Sequence, residues 1–400
     1  LYDGKQWTMD DYKHIPQYDW QDMIFRTAPI QNHNVSLTGG SEDVRYTASL
    51  SYFDQDGIVQ NSNYNRIQGR LATNLKYKKW KVAQSNQTGQ SPSQTSYSGM
   101  NNLFYSVWGY RPVTQPGVPL HTLVERATDE DVNNTNDYRC NPIMSLNNEY
   151  NKRTTTYMQF NGFVEYELMK GLRLKVSGGY TDNRMNTDNF NNSKTRYGGP
   201  TSIEKVNAQV ARAQRQTWLN ENTLTWQTNI QKRHYFNSLL GFSLQNSDFE
   251  YYRFKTIKIP NESLGMAGMS DGTPTITRSE KSSWAMMSYF GRFNYNYKSK
   301  YYATMTMRAD GSSKFRGNNR FGYFPSGSLA WNFTEEQFMK PVRKVLNSGK
   351  LRLSWGLTGN NRVGEYDTYG IYQLLKDRTG DLISLGSVPS GVYPYNNDNT

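Results

Sequence analysis

One cysteine, Cys140, is all that the 400 residues contain. It cannot close an internal disulfide, and no CxxC partner offers zinc or redox chemistry. Long hydrophobic runs are missing too: no stretch approaches the roughly 18 apolar residues of a membrane-spanning helix, which excludes a helical membrane protein. Apolar residues make up 36% of the chain and mean hydropathy is −0.84. That is too little aliphatic content for the continuous Val/Ile/Leu strands of a doubly wound α/β enzyme, or for a helical bundle. Histidine is sparse, and His14, His33, His121 and His234 show no HExxH spacing; neither a GxSxG elbow nor a GxxxxGK[ST] phosphate loop occurs. No catalytic residue, metal site or cofactor is therefore expected. The acidic, polar start at Leu1 is not read as a signal peptide.

What is abundant is aromatic. Tyr (30), Phe (17) and Trp (9) supply 14% of the chain, which excludes disorder, since disordered chains are poor in aromatics. The net charge of +12 and pI near 9.4 would permit nucleic-acid binding, but Lys and Arg are scattered among Asn, Ser, Thr and Tyr with no stripe to follow phosphates. No nucleic-acid partner is expected. The short cluster Lys76, Lys78, Lys79, Lys81 reads as a charged turn between strands.

The dominant period is two. In VRYTASLSYF, Val44, Tyr46, Ala48, Leu50 and Tyr52 alternate with Arg45, Thr47, Ser49 and Ser51, so one face is apolar and the other polar. The same alternation recurs at Ile67 to Tyr77, Met158 to Leu168, Leu172 to Tyr180, Phe236 to Leu244, Ala285 to Tyr297, Tyr301 to Ala309, Tyr323 to Phe333 and Leu351 to Leu357. About twelve such strands are predicted, some approaching the nine to eleven residues of a tilted membrane strand. Helices are expected to be almost absent, the foremost candidate being one short turn-helix near Thr334 to Val345, with Thr334 as cap and Glu335 and Glu336 in the first turn. Short links (near 40–43, 78–79, 169–170, 229–233, 298–300, 334–349) alternate with mostly longer ones (near 54–64, 89–155, 183–213, 249–281, 311–320, 359 onward). In an up-and-down sheet this puts short turns at one end and long loops at the other, as in an outer-membrane barrel. Tyr77, Trp80, Trp226, Tyr297, Tyr301, Trp331 and Trp355 suit an interfacial girdle. The fold class is all-β: a transmembrane antiparallel up-and-down β-barrel, incomplete. One barrel domain fills 1–400, as a lead-in 1–32, strands with long external loops 33–358, and a truncated external loop 359–400.

Chemistry-bearing candidates are few. Asp54-Gln55-Asp56-Gly57 reads as a hairpin loop, because the further ligands of a calcium loop do not follow in register. Glu165 and Glu167 share one strand face, as glycosidase acids can, but polar barrel faces carry such pairs routinely. The loops are more telling. Segment 103–112 (LFYSVWGYRP) sets Tyr105, Trp108 and Tyr110 beside Arg111, and loop 183–213 brings Arg196 and Tyr197 among many Asn. Aromatic faces stack on sugar C–H surfaces while Asn and Arg bond hydroxyls, so these six residues are the candidate glycan or peptide contacts. The alternative is that the loops pack on themselves over the barrel mouth.

Several strings carry a family likeness: 19–59 (DWQDMIFRTAPIQNHNVSLTGGSEDVRYTASLSYFDQDGIV), NENTLTW (220–226), LLGFSLQ (239–245), SYFGRFNYNYKSKYYATMTMRADGSSKF (288–315), NRFGYFPSGSLAWNFTEEQFM (319–339) and LRLSWGLTGNN (351–361). The chain resembles SusC-like TonB-dependent outer-membrane transporters of Gram-negative bacteria over most of its length. The resemblance implies a 22-stranded barrel with an N-terminal plug, seated in lipid and lipopolysaccharide. It also implies a SusD-like surface lipoprotein partner, a glycan or peptide substrate, and energy from the TonB complex through a box preceding the plug. Plug, box and the full strand set are not found here, so the chain is expected to begin after the plug and early barrel and to stop inside an external loop at Asn396 to Thr400. A passive porin, a soluble β-rich carbohydrate-binding or adhesin protein, and a glycoside hydrolase are the rival readings.

Overall fold

The computed structural model describes residues 8–13, 15–94, 100–114, 118–129, 139–342, 344–368, 371–374 and 392–395. Among them, twelve strands form one sheet in strict chain order: β1 Ile30–Gly40, β2 Val44–Asp56, β3 Asn63–Tyr77, β4 Trp80–Gln94, β5 Glu149–Met169, β6 Leu172–Asn191, β7 Asn207–Ile230, β8 His234–Ile257, β9 Thr273–Tyr297, β10 Tyr301–Ser312, β11 Phe321–Trp331 and β12 Leu351–Gly356. Every neighbour is antiparallel. The sheet is open, so β1 and β12 each have a single neighbour. A separate hairpin pairs β13 Ile371–Leu374 with β14 Val392–Tyr395 inside the segment expected to be loop.

Cross-strand register shows why alternation folds this way. Partners in a ladder share a face, and one rung runs Val82, Val164, Val176, while another runs Leu174, Leu224, Leu240. Farther along, Phe293 meets Met305, and Leu329 meets Leu353. These side chains form a continuous apolar surface that stays open: Val176 is 46% exposed, Leu240 64% and Leu353 73%. A soluble sandwich would hide such a face against a second sheet. Here no described residue covers it, which is the arrangement of a lipid-facing wall. No helix among the described residues is long and apolar enough to cross a membrane.

Aromatics mark the turn end of that surface. Tyr77 faces Trp80, whose ring lies 4.3 Å from that of Tyr166; Tyr301 faces both Tyr297 and Trp331. Trp355 departs from the expected girdle. It pairs with Gly327, four rungs in from the Trp331–Leu351 pair, and so lies within the apolar band. The turns are tight and left-handed: Lys78 takes φ +52° and Lys298 and Ser299 take +50° and +57°. Gly171 adopts φ +82°, and a Cβ there would sit 2.2 Å from the Gln227 carbonyl oxygen, so only glycine fits.

Three expectations are corrected. Segments 183–213 and 249–281 are loop only in their middles, 192–206 and 258–272, and strand on either side: β7, β8 and β9 run 24, 24 and 25 residues, far beyond what lipid requires. Above the Tyr180–Trp218 pair the outward face turns polar, with Asp182, Arg184, Asp188, Arg212 and Glu250 on the ladder. Alternation fades there because water wets both faces, although the backbone ladder continues. Second, the helices, few as expected, lie elsewhere than expected: α1 Met9–Lys13 and α2 Trp20–Ile24 precede β1, and α3 Met100–Gly109, α4 Thr122–Glu125 and α5 Pro142–Asn148 lie in the β4–β5 link. Third, the turn after β11 is two short 3₁₀ pieces, Phe333–Glu335 and Gln337–Val342. Thr334 does not cap them; its hydroxyl donates to Asn332 Oδ1 and accepts the Gly349 N–H.

Candidate functional site

The inward face of the sheet is polar and held by local pairs. Glu165 receives Lys81 at 3.3 Å and Arg173 at 3.8 Å, and Glu167 accepts the Gly171 N–H at 3.2 Å. Both carboxylates are therefore tied to the wall, not poised as an acid and base across a substrate. Higher up, Ser243, Ser247 and Ser288 are buried along adjacent strands. Arg215 lies 4.7 Å from the Phe249 ring centre, and Arg308 lies 5.2 Å from that of Phe290 while its Nε donates to both oxygens of Asp310 and its Nη2 to Ser288. Stacked cation and aromatic pairs keep the long side chains flat against the wall. Asp54 and Asp56 end β2, where Asp56 pairs with Arg26 at 3.4 Å and Gly57 N–H bonds Ser62 O. Among the described residues no group of acidic, His or Cys side chains is arranged to hold a metal.

The loop end carries two packed caps. In the first, α3 presents Leu103, Ser106, Val107 and Tyr110 inward, the i, i+3, i+4, i+7 spacing of a helix face. They pack with Trp20, Ile24, Val59, Leu123 and Leu146. Of the six candidate residues, Tyr105 (53% exposed) and Trp108 (66%) lie together on the opposite, open face. Phe104 stacks on Trp108, ring centres 5.8 Å apart. Tyr110 is buried instead, its hydroxyl donating to Leu123 O at 2.9 Å. Burial, then the nearby Asp129 charge, push that phenol up to about 12. Arg111 forks onto both oxygens of buried Asp129, and its carbonyl accepts Trp20 Nε1. It fastens the cap to α2.

The second cap joins links 192–206 and 258–272 around Phe190, Ala208 and Ile259, with Glu262 accepting the Ser193 N–H at 2.7 Å. Arg196 is buried there, its guanidinium 5.3 Å from the Tyr197 ring centre, and the Tyr197 carbonyl accepts from Ser202 and Asn207. So two candidates face solvent side by side, two build the first cap and two the second. The 3.6-residue period within 103–110 is the sequence signal for this split, masked by the polar, loop-like residues around it.

No protein-family model matches the chain. It is 31% identical over 374 residues to TonB-dependent receptor P26 of Formosa agariphila, covering 90% of this chain and 36% of that protein. Against TonB-dependent receptor SusC of Bacteroides thetaiotaomicron it is 27% identical over 387 residues, covering 88% and 36%. Among solved structures the RagAB peptide transporter superposes with a TM-score of 0.75 at 19% identity, covering 94% of this chain and 41% of that one. The chain thus spans little more than a third of the curated relatives it matches.

Proposed function

The chain belongs to the SusC-like TonB-dependent receptors, and on that premise we propose that it supplies part of the barrel wall and external caps of an energised outer-membrane importer of oligosaccharides. The observation that carries the reading is the pairing of an uncovered apolar face, edged by aromatics at its turn end, with a polar inward face. Such a wall separates lipid from a wet lumen. In this reading the ligand is captured at the loop end beneath a SusD-like lipoprotein and released inward through TonB-driven movement of a plug, with no covalent step. Tyr105 and Trp108, the two exposed candidates, are proposed to meet the ligand or the lid. The six-residue set reduces to that pair because Tyr110, Arg111, Arg196 and Tyr197 serve the caps from within. Peptide cargo is the second reading, favoured by the likeness to a peptide transporter, a likeness of fold alone at that identity.

The test is uptake of labelled oligosaccharides and peptides by cells carrying the full receptor, with and without a protonophore. Oligosaccharide accumulation abolished by the protonophore is expected. Uptake indifferent to it would instead indicate a passive porin, and peptide accumulation alone would move the cargo to the second reading.

A further inference from the structure

A cleft of about 370 Å³ opens on the inward face near the loop end, at the lower end of the ~300–1,000 Å³ range of small-molecule sites. Its floor is Phe324, Met286, Asp310 and Ser312, and Phe315, Asn319 and Arg320 form one side. Asp310 partners Ser288 and Gly322, and Arg308 partners both Phe290 and Phe324, so these side chains stand on the polar face. The roof is Gly359, Asn360 and Asn361, which follow β12 and return across the sheet. That return is fastened by Lys314 Nζ to Val363 O at 2.8 Å, by the Thr368 hydroxyl to Lys314 O at 2.6 Å, and by Glu365 to Arg215 at 3.8 Å. Gly359 is needed for this approach: a Cβ there would come within 2.3 Å of the Phe324 ring.

We infer that this cleft is a subsite for one acidic pyranose unit, the carboxylate held by Arg320 and the ring face laid on Phe324. Three observations on the lining lead there. Both Asp310 oxygens are taken by Arg308, so the fixed anion is neutralised before a ligand arrives. Arg320 is exposed, and no described residue hydrogen-bonds or ion-pairs with its side chain, so the lining keeps one uncompensated cation. Asn360 and Asn361 use one amide end each, Oδ1 for the Arg362 N–H and Nδ2 toward Met286 Sδ, leaving the Asn360 NH₂ and the Asn361 carbonyl for hydroxyls. A flat aromatic, two half-used amides and a guanidinium match a sugar acid better than a peptide, whose backbone offers no apolar C–H face of that width. Arg320 also borders the outward groove over Trp218 and Phe321, where a lipopolysaccharide phosphate is the competing partner.

The inference rests on the importer reading and is tested apart from it. Purified full receptor in detergent is titrated with glucuronate and galacturonate, with glucose and galactose, and with triaspartate. The acids are expected to bind and the neutral sugars to bind at least about ten-fold more weakly, as loss of a charge-assisted hydrogen bond implies. R320Q should remove that preference and its salt dependence while leaving the receptor folded, and N360A should weaken acidic and neutral sugars alike. Equal affinity for acids and neutral sugars, an unchanged R320Q, or tighter binding of triaspartate would overturn the assignment. So would an R320Q effect confined to co-purifying lipopolysaccharide. Protonophore-sensitive uptake persisting beside such a result leaves the importer standing and the subsite refuted; sugar-acid binding without energised uptake does the reverse.

Discussion

Single residues divide between those that hold the frame and those that face out of it. Glu336, after β11, accepts the Tyr301 hydroxyl at 2.5 Å, Lys300 Nζ at 2.9 Å and Trp331 Nε1 at 3.3 Å. Those donors, the tyrosine first, hold its carboxyl down to about 2, from an ordinary 4.5. A depressed carboxylate stabilises the fold above its unfolded value and loses that contribution as pH falls toward the folded one. Hydrogen-exchange protection at the turn end of β10 and β11, corrected for the slower intrinsic exchange of amides in acid, should therefore fall as pH drops from about 4.5 toward about 2. In E336Q that step should be absent, and a wild-type-like step in the variant would refute the role. In the first cap, Leu103→Ala should loosen the helix by about 2–5 kcal/mol through the cavity it leaves, read as faster exchange or proteolysis of 100–148. Trp108→Ala, on the open face, should leave cap protection unchanged.

Elements show how one rule, alternation, places every strand. On β6 the outward Val176 and inward Ser177 are chain neighbours with opposite surroundings: Val176 meets Val164, while Ser177 sits across from Glu221. Val176→Arg should cost about 2–4 kcal/mol for a cation near the middle of the lipid band, whereas Ser177→Arg gains a carboxylate neighbour and costs little. Unfolding of the full receptor from lipid vesicles by urea measures both, and equal losses would mean that the apolar face does not meet lipid. The strands above the band were harder to read. In Asp182 to Asn191 and Asn207 to Arg215 both faces carry polar residues, so period two vanishes from the sequence while the hydrogen-bonded ladder goes on.

At the scale of the whole molecule, the open sheet is the governing fact. Among the described residues its two edges, β1 and β12, have no strand on their outer sides, and in lipid each unpaired N–H or C=O group costs several kcal/mol. Closure by further strands is what a membrane demands of this architecture. Expressed by itself, this stretch should fail to enter the outer membrane as a heat-resistant, folded species and should aggregate through its edges. Fractionation and unheated gel mobility would check this, and a folded, membrane-inserted monomer would contradict it. The first cap already ties separate parts of the open sheet together: Trp20 and Ile24 precede β1, yet they pack with residues from the β4–β5 and β2–β3 links. The loop end is thereby consolidated across several strands.

The amino-acid order was enough to specify twelve strands, their sequence-adjacent pairing, the short turns and the two-faced wall, because each depends on period two and on turn chemistry within a few residues. It also carried the family likeness, through strings such as RADGSSKF and GYFPSGSLAWNF. Long-range packing decided the rest. Tyr110 and Arg196 are buried while Tyr105 and Trp108 are open, and the return of 359–361 over Phe324 brings together residues that local pattern cannot connect. Periodicity fixes which way a side chain leaves the backbone; only the folded chain fixes what it meets there.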